Sequence, residues 1–386
     1  MSDERPHDES GDDHGSLLAP GTTGTRPGLG TEEAFVEQAL VETEVVPGAI
    51  LPKEDIGRSP WQIFWRQFRR DRWALVGIVA ILLMLVLAII APLSVSWTGH
   101  EPNFVNLDAL DSFGLPGAPA WWPCPEGAAD APVVIEGGQV STATQGCTAV
   151  PGYVLGVDST GRDLFVRILY GARTSLIIAF AATGISLVIG TVLGVISGFF
   201  RGKTDTFISR LTDVVLSLPI LLLALGLASA CGATAEGCFG GLIKPGLLLV
   251  SLIIGLFSWP YISRIIRGQV LSLREKEFVE ASRSLGSSNW RIMAREILPN
   301  VAAPLIVYTT LIIPANILFE AGLSFLGVGV PDTTPSWGAM LSQSASAFRW
   351  AVWLMIFPGI ALFMTTLAFN LVGDGLRDAL DPRTQA

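Results

Sequence analysis

Six stretches of about twenty residues carry almost no charged side chains, at 74–97, 175–200, 211–230, 246–265, 301–319 and 351–373. Each is long enough to cross the roughly 30 Å hydrocarbon core of a bilayer as a helix. Inside that core every backbone N–H and C=O must be bonded within the chain, which leaves only helices or closed barrels. None of the stretches alternates with a period of two, so helices are expected. The chain reads as an all-α, polytopic membrane protein with six transmembrane helices. Its composition agrees, since 15% of the 386 residues are charged, against about a quarter in soluble chains. Pro219, Pro260, Pro314 and Pro358 fall in or near these spans as hinges or as simple shape-setters.

Basic residues orient the spans, because cytoplasmic loops are enriched in Lys and Arg. With the N-terminus inside, twenty of the 25 Lys and Arg residues fall on the cytoplasmic side. Only Arg162, Arg167, Arg173, Lys244 and Arg349 fall outside. Both termini are therefore expected in the cytoplasm. Residues 1–56 form an acidic tail, with Asp3, Glu4, Asp8, Glu9, Asp12 and Asp13 near its start against Arg5, Arg26 and Lys53. Such a composition predicts disorder, with 32–46 as either a poorly ordered segment or a partner-docking helix. The tail lacks the apolar region of a signal peptide, so the first span is expected to remain as an anchor.

The same topology puts Cys124, Cys147, Cys231 and Cys238 in external loops. In an oxidising compartment they suggest bridges Cys124–Cys147 and Cys231–Cys238, with free thiols as the other reading. Residues 98–174 form the large external loop. Within it, 98–150 carries Trp121 and Trp122 and is either a docking surface for an external protein or a disulfide-pinned cover.

No site for chemistry can be assembled, and no metal cluster either. The fragment Gly202-Lys203-Thr204 has Ser197 where a phosphate-binding loop needs its first Gly, and no strand precedes it. It reads as a basic turn. Ion-driven carriers bury charges in mid-span, and here Asp213 and Glu320 sit near span ends, where reaching out to water explains them. Any work this chain takes part in must then be delivered from another chain.

One loop is built to receive it. Residues 266–300 are far longer than a helix hairpin needs. A short helix is expected over 276–285, with Phe278, Ala281, Ser282 and Leu285 on one stripe and Glu277, Glu280 and Arg283 elsewhere. Gly286 ends it, since Gly accepts left-handed backbone. Ser287, Ser288 and Asn289 are N-cap candidates for a second helix over 290–298, and Pro299 precedes the next span.

Glu280-Ala281-Ser282, then Gly286, then Ile297-Leu298-Pro299 resembles the EAA loop of ABC importer permeases, with Ser282 in place of the usual Ala. Two further stretches are similar to the C-type permeases of dipeptide and oligopeptide importers. One runs from Leu155-Gly156-Val157-Asp158 through Gly161-Arg162-Asp163-Leu164 to Tyr170-Gly171-Ala172-Arg173. The other is Gly322-Leu323-Ser324-Phe325-Leu326-Gly327 with Pro335-Ser336-Trp337-Gly338 and the ending Asp374-Gly375-Leu376-Arg377-Asp378. The resemblance implies a type I importer permease fold, one peripheral helix (57–97) plus a five-helix core (175–373), with a cytoplasmic C-terminus at 374–386. It implies a bacterial cytoplasmic-membrane subunit, itself non-catalytic, paired with a homologous second permease. Two ATPase subunits would carry ATP and Mg and dock on Glu277–Leu285, Gly286, Leu298 and Pro299, and an external binding protein would deliver peptide. No cofactor in this chain and no nucleic-acid partner are implied. Nickel chelates and glutathione are alternative cargoes, and a secondary carrier or a non-transporting scaffold are the rival classes.

Overall fold

The computed structural model describes residues 60–110, 114–123, 134–136, 139–141, 149–232, 237–238 and 243–380. The acidic tail, the 32–46 segment, Cys124 and Cys147 lie outside the described residues. After α1 (Pro60–Phe68) come α2 (Arg72–Thr98), α3 (Leu164–Phe200), α4 (Gly202–Ser217), α5 (Ile220–Gly232) and α6 (Leu247–Leu273). The chain continues through α7 (Glu277–Ser284), α8 (Asn289–Ile292), α9 (Leu298–Phe325), α10 (Trp337–Ser344) and α11 (Trp353–Leu380). Between α2 and α3 lie a parallel pair, Ala118–Pro119 with Ala149–Val150, and an antiparallel pair, Val134–Glu136 with Gln139–Ser141.

Five helical stretches are long and apolar enough to cross a bilayer: α2, α3, α6, the 37-residue run Asn289–Phe325, and α11. The bent pair α4 and α5, counted as one interrupted span, makes the sixth. The interruption expected at Pro219 within 211–230 is a bend, the two halves of the pair meeting at 80°. Pro219 has no N–H to continue a helix and drives the residue before it into extended backbone. Leu218 is accordingly at φ −80°, ψ 138°. Pro260, Pro314 and Pro358 lie within unbroken helices. Nor does Pro299 mark a break: the π turn Met293–Ile297 links α8 to α9, with Leu298 N–H bonded five residues back to the Met293 carbonyl. Beyond α5, Cys231 and Cys238 are joined by a disulfide with Cα atoms 4.8 Å apart.

Several spans start or end beyond their apolar runs. Helix α3 begins at Leu164 because the Asp163 carboxylate accepts from the N–H groups of Phe165 (2.9 Å) and Val166 (3.2 Å), a side-chain cap. Asp71 caps α2 in the same way through Trp73 and Ala74. The bundle thus has two ends. The basic end carries Arg201, Lys203, Arg264, Arg274 and α7, and the cap end carries 99–110, 114–123, 149–163 and 326–352.

Large apolar side chains point outward, as lipid permits: Trp73, Val79, Ile89, Leu93 and Trp97 on α2 are all more than 60% exposed. Small residues fill the contacts between helices. Gly190, Gly194 and Gly198, one turn apart on α3, lie against Ile262, Ile266 and Val270 of α6. A Cβ at any of the three would stand 2.7–2.9 Å from an α6 carbonyl oxygen or side-chain carbon. Such close approach lets dispersion act where lipid supplies no hydrophobic drive between helices. Gly194→Val should therefore separate α3 from α6 and lower the thermal unfolding midpoint in detergent by several degrees. Gly184→Ala on the same helix, with no atom within 4 Å, should leave the midpoint unchanged or slightly raised.

Candidate coupling segment and buried polar groups

Helix α7 is too short to be stable alone, and tertiary contacts hold it. Val279 is fully buried in one cluster with Val195 and Phe199 of α3, Ile262, Ile266 and Val270 of α6, and Ile292, Met293, Ile297 and Val301 beyond the turn. Burying one such side chain is worth about 1.5–3 kcal/mol. Val279 lies off the stripe singled out in the sequence. That stripe faces outward instead: Phe278 and Ala281 are exposed, Ser282 is half-buried and Leu285 is 86% exposed. Glu277, Glu280 and Gly286 are exposed too, as are Trp290, Leu298 and Pro299. Most of the residues expected to dock a partner are thus turned outward, and one unremarked valine fixes the helix beneath them.

The end of α7 is a complete left-handed cap. Gly286 has φ +78°, its N–H bonds the Arg283 carbonyl at 3.0 Å, and the Ser287 N–H bonds the Ser282 carbonyl at 3.1 Å. Ser288 takes the N-cap position of α8 but makes no side-chain cap bond.

Charged contacts fasten this segment to its neighbours. Glu275 pairs with Arg201 at 2.7 Å and with Arg274 at 3.3 Å, and an Arg274 guanidinium N–H donates to the Phe199 carbonyl. Arg267 of α6 grips Asp205 of α4 with two parallel bonds of 2.6 and 2.8 Å, the strong bidentate form. Ser197 and Ser209 also donate to Asp205. Asp213, half-exposed, pairs with Arg264. The Gly202-Lys203-Thr204 fragment forms the first turn of α4, following helix and not strand.

Glu320 overturns the expectation of a carboxylate reaching water. Helix α9 runs on to Phe325, so Glu320 lies within it and is fully buried. Ser175 of α3 donates to Oε2 at 3.0 Å and Ser324 donates to Oε1 at 2.7 Å, while Ser336, which caps α10, is close enough to act on the same carboxyl. One turn away, Asn316 Nδ2 donates to Thr183 Oγ1 at 2.8 Å and its Oδ1 accepts from Ser258 at 3.2 Å. These two side chains key α9 to α3, α6 and α10.

At the cap end, Asp158 accepts from the Thr160 backbone N–H (2.9 Å) and hydroxyl (2.7 Å), and from the Arg162 N–H (3.0 Å) and Nε (2.7 Å). The Arg167 Nε lies 3.3 Å from the same carboxylate, with its side chain wholly buried. Arg167 also donates to the Pro102 carbonyl and to Asn103. His100 contacts Asp163 at 2.8 Å and stacks on Tyr153 with ring centroids 4.4 Å apart. This knot fixes the entry to α3. Among the described residues no group of three or more His, Cys, Asp or Glu side chains could hold a metal ion.

A bundle of long apolar helices, held by small-residue contacts and carrying an outward-facing helical loop at one end, is that of a multi-pass membrane transport component. Residues 190–386 match the family described as binding-protein-dependent transport system inner membrane component, and residues 59–110 match the N-terminal transmembrane domain of oligopeptide transport permease C. The dipeptide transport system permease protein DppC of Alkalihalophilus pseudofirmus is 35% identical over 328 residues, covering 85% of this chain and 91% of the relative. The glutathione transport system permease protein GsiD of Pectobacterium atrosepticum is 34% identical over 329 residues, covering 85% and 93%. A chain of the inward-facing MetNI methionine ABC transporter aligns with 56% of this chain and 97% of its own length, at 18% identity and a TM-score of 0.45. This chain belongs to the binding-protein-dependent inner membrane component family, and its fold is that of a type I ABC importer permease.

Two substitutions separate backbone from packing effects. Gly286→Ala has open space around it but must hold left-handed backbone, at about 1–2 kcal/mol. Amide exchange across α7 should quicken accordingly, and less so for Gly286→Asn. Glu320→Ala leaves the Ser175 and Ser324 hydroxyls without their acceptor, at about 1–3 kcal/mol for each buried group stranded. Its unfolding midpoint should fall well below that of Glu320→Gln, which keeps the side chain's shape and one oxygen acceptor.

Proposed function

We propose that this chain is a non-catalytic translocation subunit of an ATP-driven importer in the bacterial cytoplasmic membrane, with both termini and α7 on the cytoplasmic side. The observation that carries the proposal is the outward face of α7. Phe278, Ala281 and Leu285, beside Glu277 and Glu280, stand exposed on a helix whose opposite side is fastened by Val279 to α3 and α6. Such a face suits a groove on an ATPase subunit that binds ATP and Mg. Movement of that subunit would be delivered to the α3–α6 pair through the Val279 cluster. The core would pair with a homologous second permease, leaving the translocation pathway between them, and an external binding protein would present cargo at the cap end. Excess Lys and Arg around α4 and α7 supports this orientation.

For cargo we favour di- and oligopeptides. Relatives named for dipeptide and for glutathione transport support a peptide-like solute of either kind, and a nickel chelate is the alternative.

The test is co-purification of the chain, with its partner permease, and the ATPase subunits. Glu280→Arg and Leu285→Asp, both at exposed positions, should insert normally yet weaken ATPase retention at least ten-fold, as loss of a central contact does. Undiminished retention in both variants would remove α7 as the docking element. Competition for uptake between labelled dipeptide, glutathione and nickel chelate would then rank the cargoes.

A further inference from the structure

Helices α2 and α3 enclose a groove that the transport reading leaves unused. It lies between α2 and α3, has a volume of about 520 Å³ and is walled by Leu85 and Ile89 on one side and Leu176, Ile177 and Phe180 on the other. Ile89 is 75% exposed, and Ile177 and Phe180 are exposed as well, so the groove opens outward. One charged residue lines it, Arg173. Among the described residues nothing forms a hydrogen bond or ion pair with that guanidinium.

Depth decides what such a groove can hold. Helix α3 has 37 residues, about 55 Å at 1.5 Å per residue, against roughly 30 Å of hydrocarbon. Centred in the bilayer, it leaves about 12 Å, or about eight residues, beyond the hydrocarbon at each end. Arg173, the tenth residue of the helix, falls at that boundary. Helical side chains lean toward the N-terminus, which for α3 is the cap end, so the guanidinium reaches toward the headgroups. Trp97, 76% exposed and in edge contact with Phe165, is placed as an interfacial anchor just above it.

The two helices run antiparallel, so the groove is ordered along the bilayer normal. Arg173 stands at its top, Leu176 and Ile177 face Ile89 beneath it, and Phe180 and Leu85 lie deepest. An unpaired cation over an apolar channel is the complement of a phosphate carrying an acyl chain.

We propose that the α2–α3 groove binds one anionic phospholipid from the leaflet at the cap end, its phosphate on Arg173 and one acyl chain along Leu176, Ile177 and Phe180. The lipid pins the peripheral helix α2 to the core at the point where Pro92 interrupts the α2 hydrogen-bond ladder. The site needs only that the chain spans a membrane, and stands whether or not α7 docks an ATPase.

The full chain, purified with whatever subunits accompany it, should be titrated with phosphatidylglycerol and with phosphatidylcholine and read by native mass spectrometry. Wild type should retain phosphatidylglycerol about five-fold better, the preference one arginine near the surface supplies. Arg173→Gln should abolish the preference and Arg173→Lys should keep it. Ile177→Trp, which fills the groove and leaves the charge, should reduce retention of both lipids. Equal retention of the two lipids by wild type, or an undiminished preference in Arg173→Gln, would overturn the proposal. So would cross-links from position 177 to another protein subunit, which would make the groove a subunit contact.

Discussion

Helices in hydrocarbon gain nothing by hiding apolar surface from one another, so the bundle depends on how closely two backbones can approach. The contact between α3 and α6 meets that requirement through Gly190, Gly194 and Gly198, each set directly against a branched side chain of α6. Everything at the basic end rests on this pair. The cluster around Val279 is built on the side chains α3 and α6 present just below the glycines, and the Arg267–Asp205 grip holds α4 to the same pair. Without that approach the loop would be a tether. With it, α7 is packed through Val279 onto two long helices.

Polar groups perform the complementary task on the α9 side. Asn316 and Glu320 stand one turn apart and bind α3 at two levels, with Ser336 at the start of α10 close to the same carboxyl. Since α9 continues from α8 without a break, the loop that carries α7 is joined mechanically to the cap end by a single 37-residue helical run. Unsatisfied hydroxyls and carboxyls are expensive in hydrocarbon. These joints are therefore suited to travelling intact, and the flexible points are better sought at the 80° bend before Pro219 and between subunits.

The sequence disclosed the class of fold readily, because apolar length and the placement of basic residues are strong signals. It was less informative wherever tertiary contacts overrule composition. Arg167 and Arg173 interrupted the apolar run, so α3 was expected to start at 175; in the structure Asp158 and the Asp163 cap let it start at Leu164. Glu320 reads as a span end for the same reason, because one of its hydroxyl donors, Ser175, is far off in sequence. The glycines at 190, 194 and 198 carry no signal in the sequence alone, because their spacing of four gains meaning only with α6 opposite. In the loop, periodicity groups Phe278, Ala281, Ser282 and Leu285 on one stripe without saying which way it faces, and no local signal separates the buried Val279 from its neighbours. Its importance lies in what α3 and α6 place beneath it.

The central claim is that α7 moves with α3 and α6 as one body. Spin labels at Val188 on α3 and Ser284 on α7, both exposed positions, test it by pulsed electron-spin distance measurement in the assembled transporter with and without ATP. The account predicts one narrow distance that stays the same in every nucleotide state, while label-to-label distances between subunits change. A within-chain distance that shifts by more than a helical turn, about 5.4 Å, would contradict it.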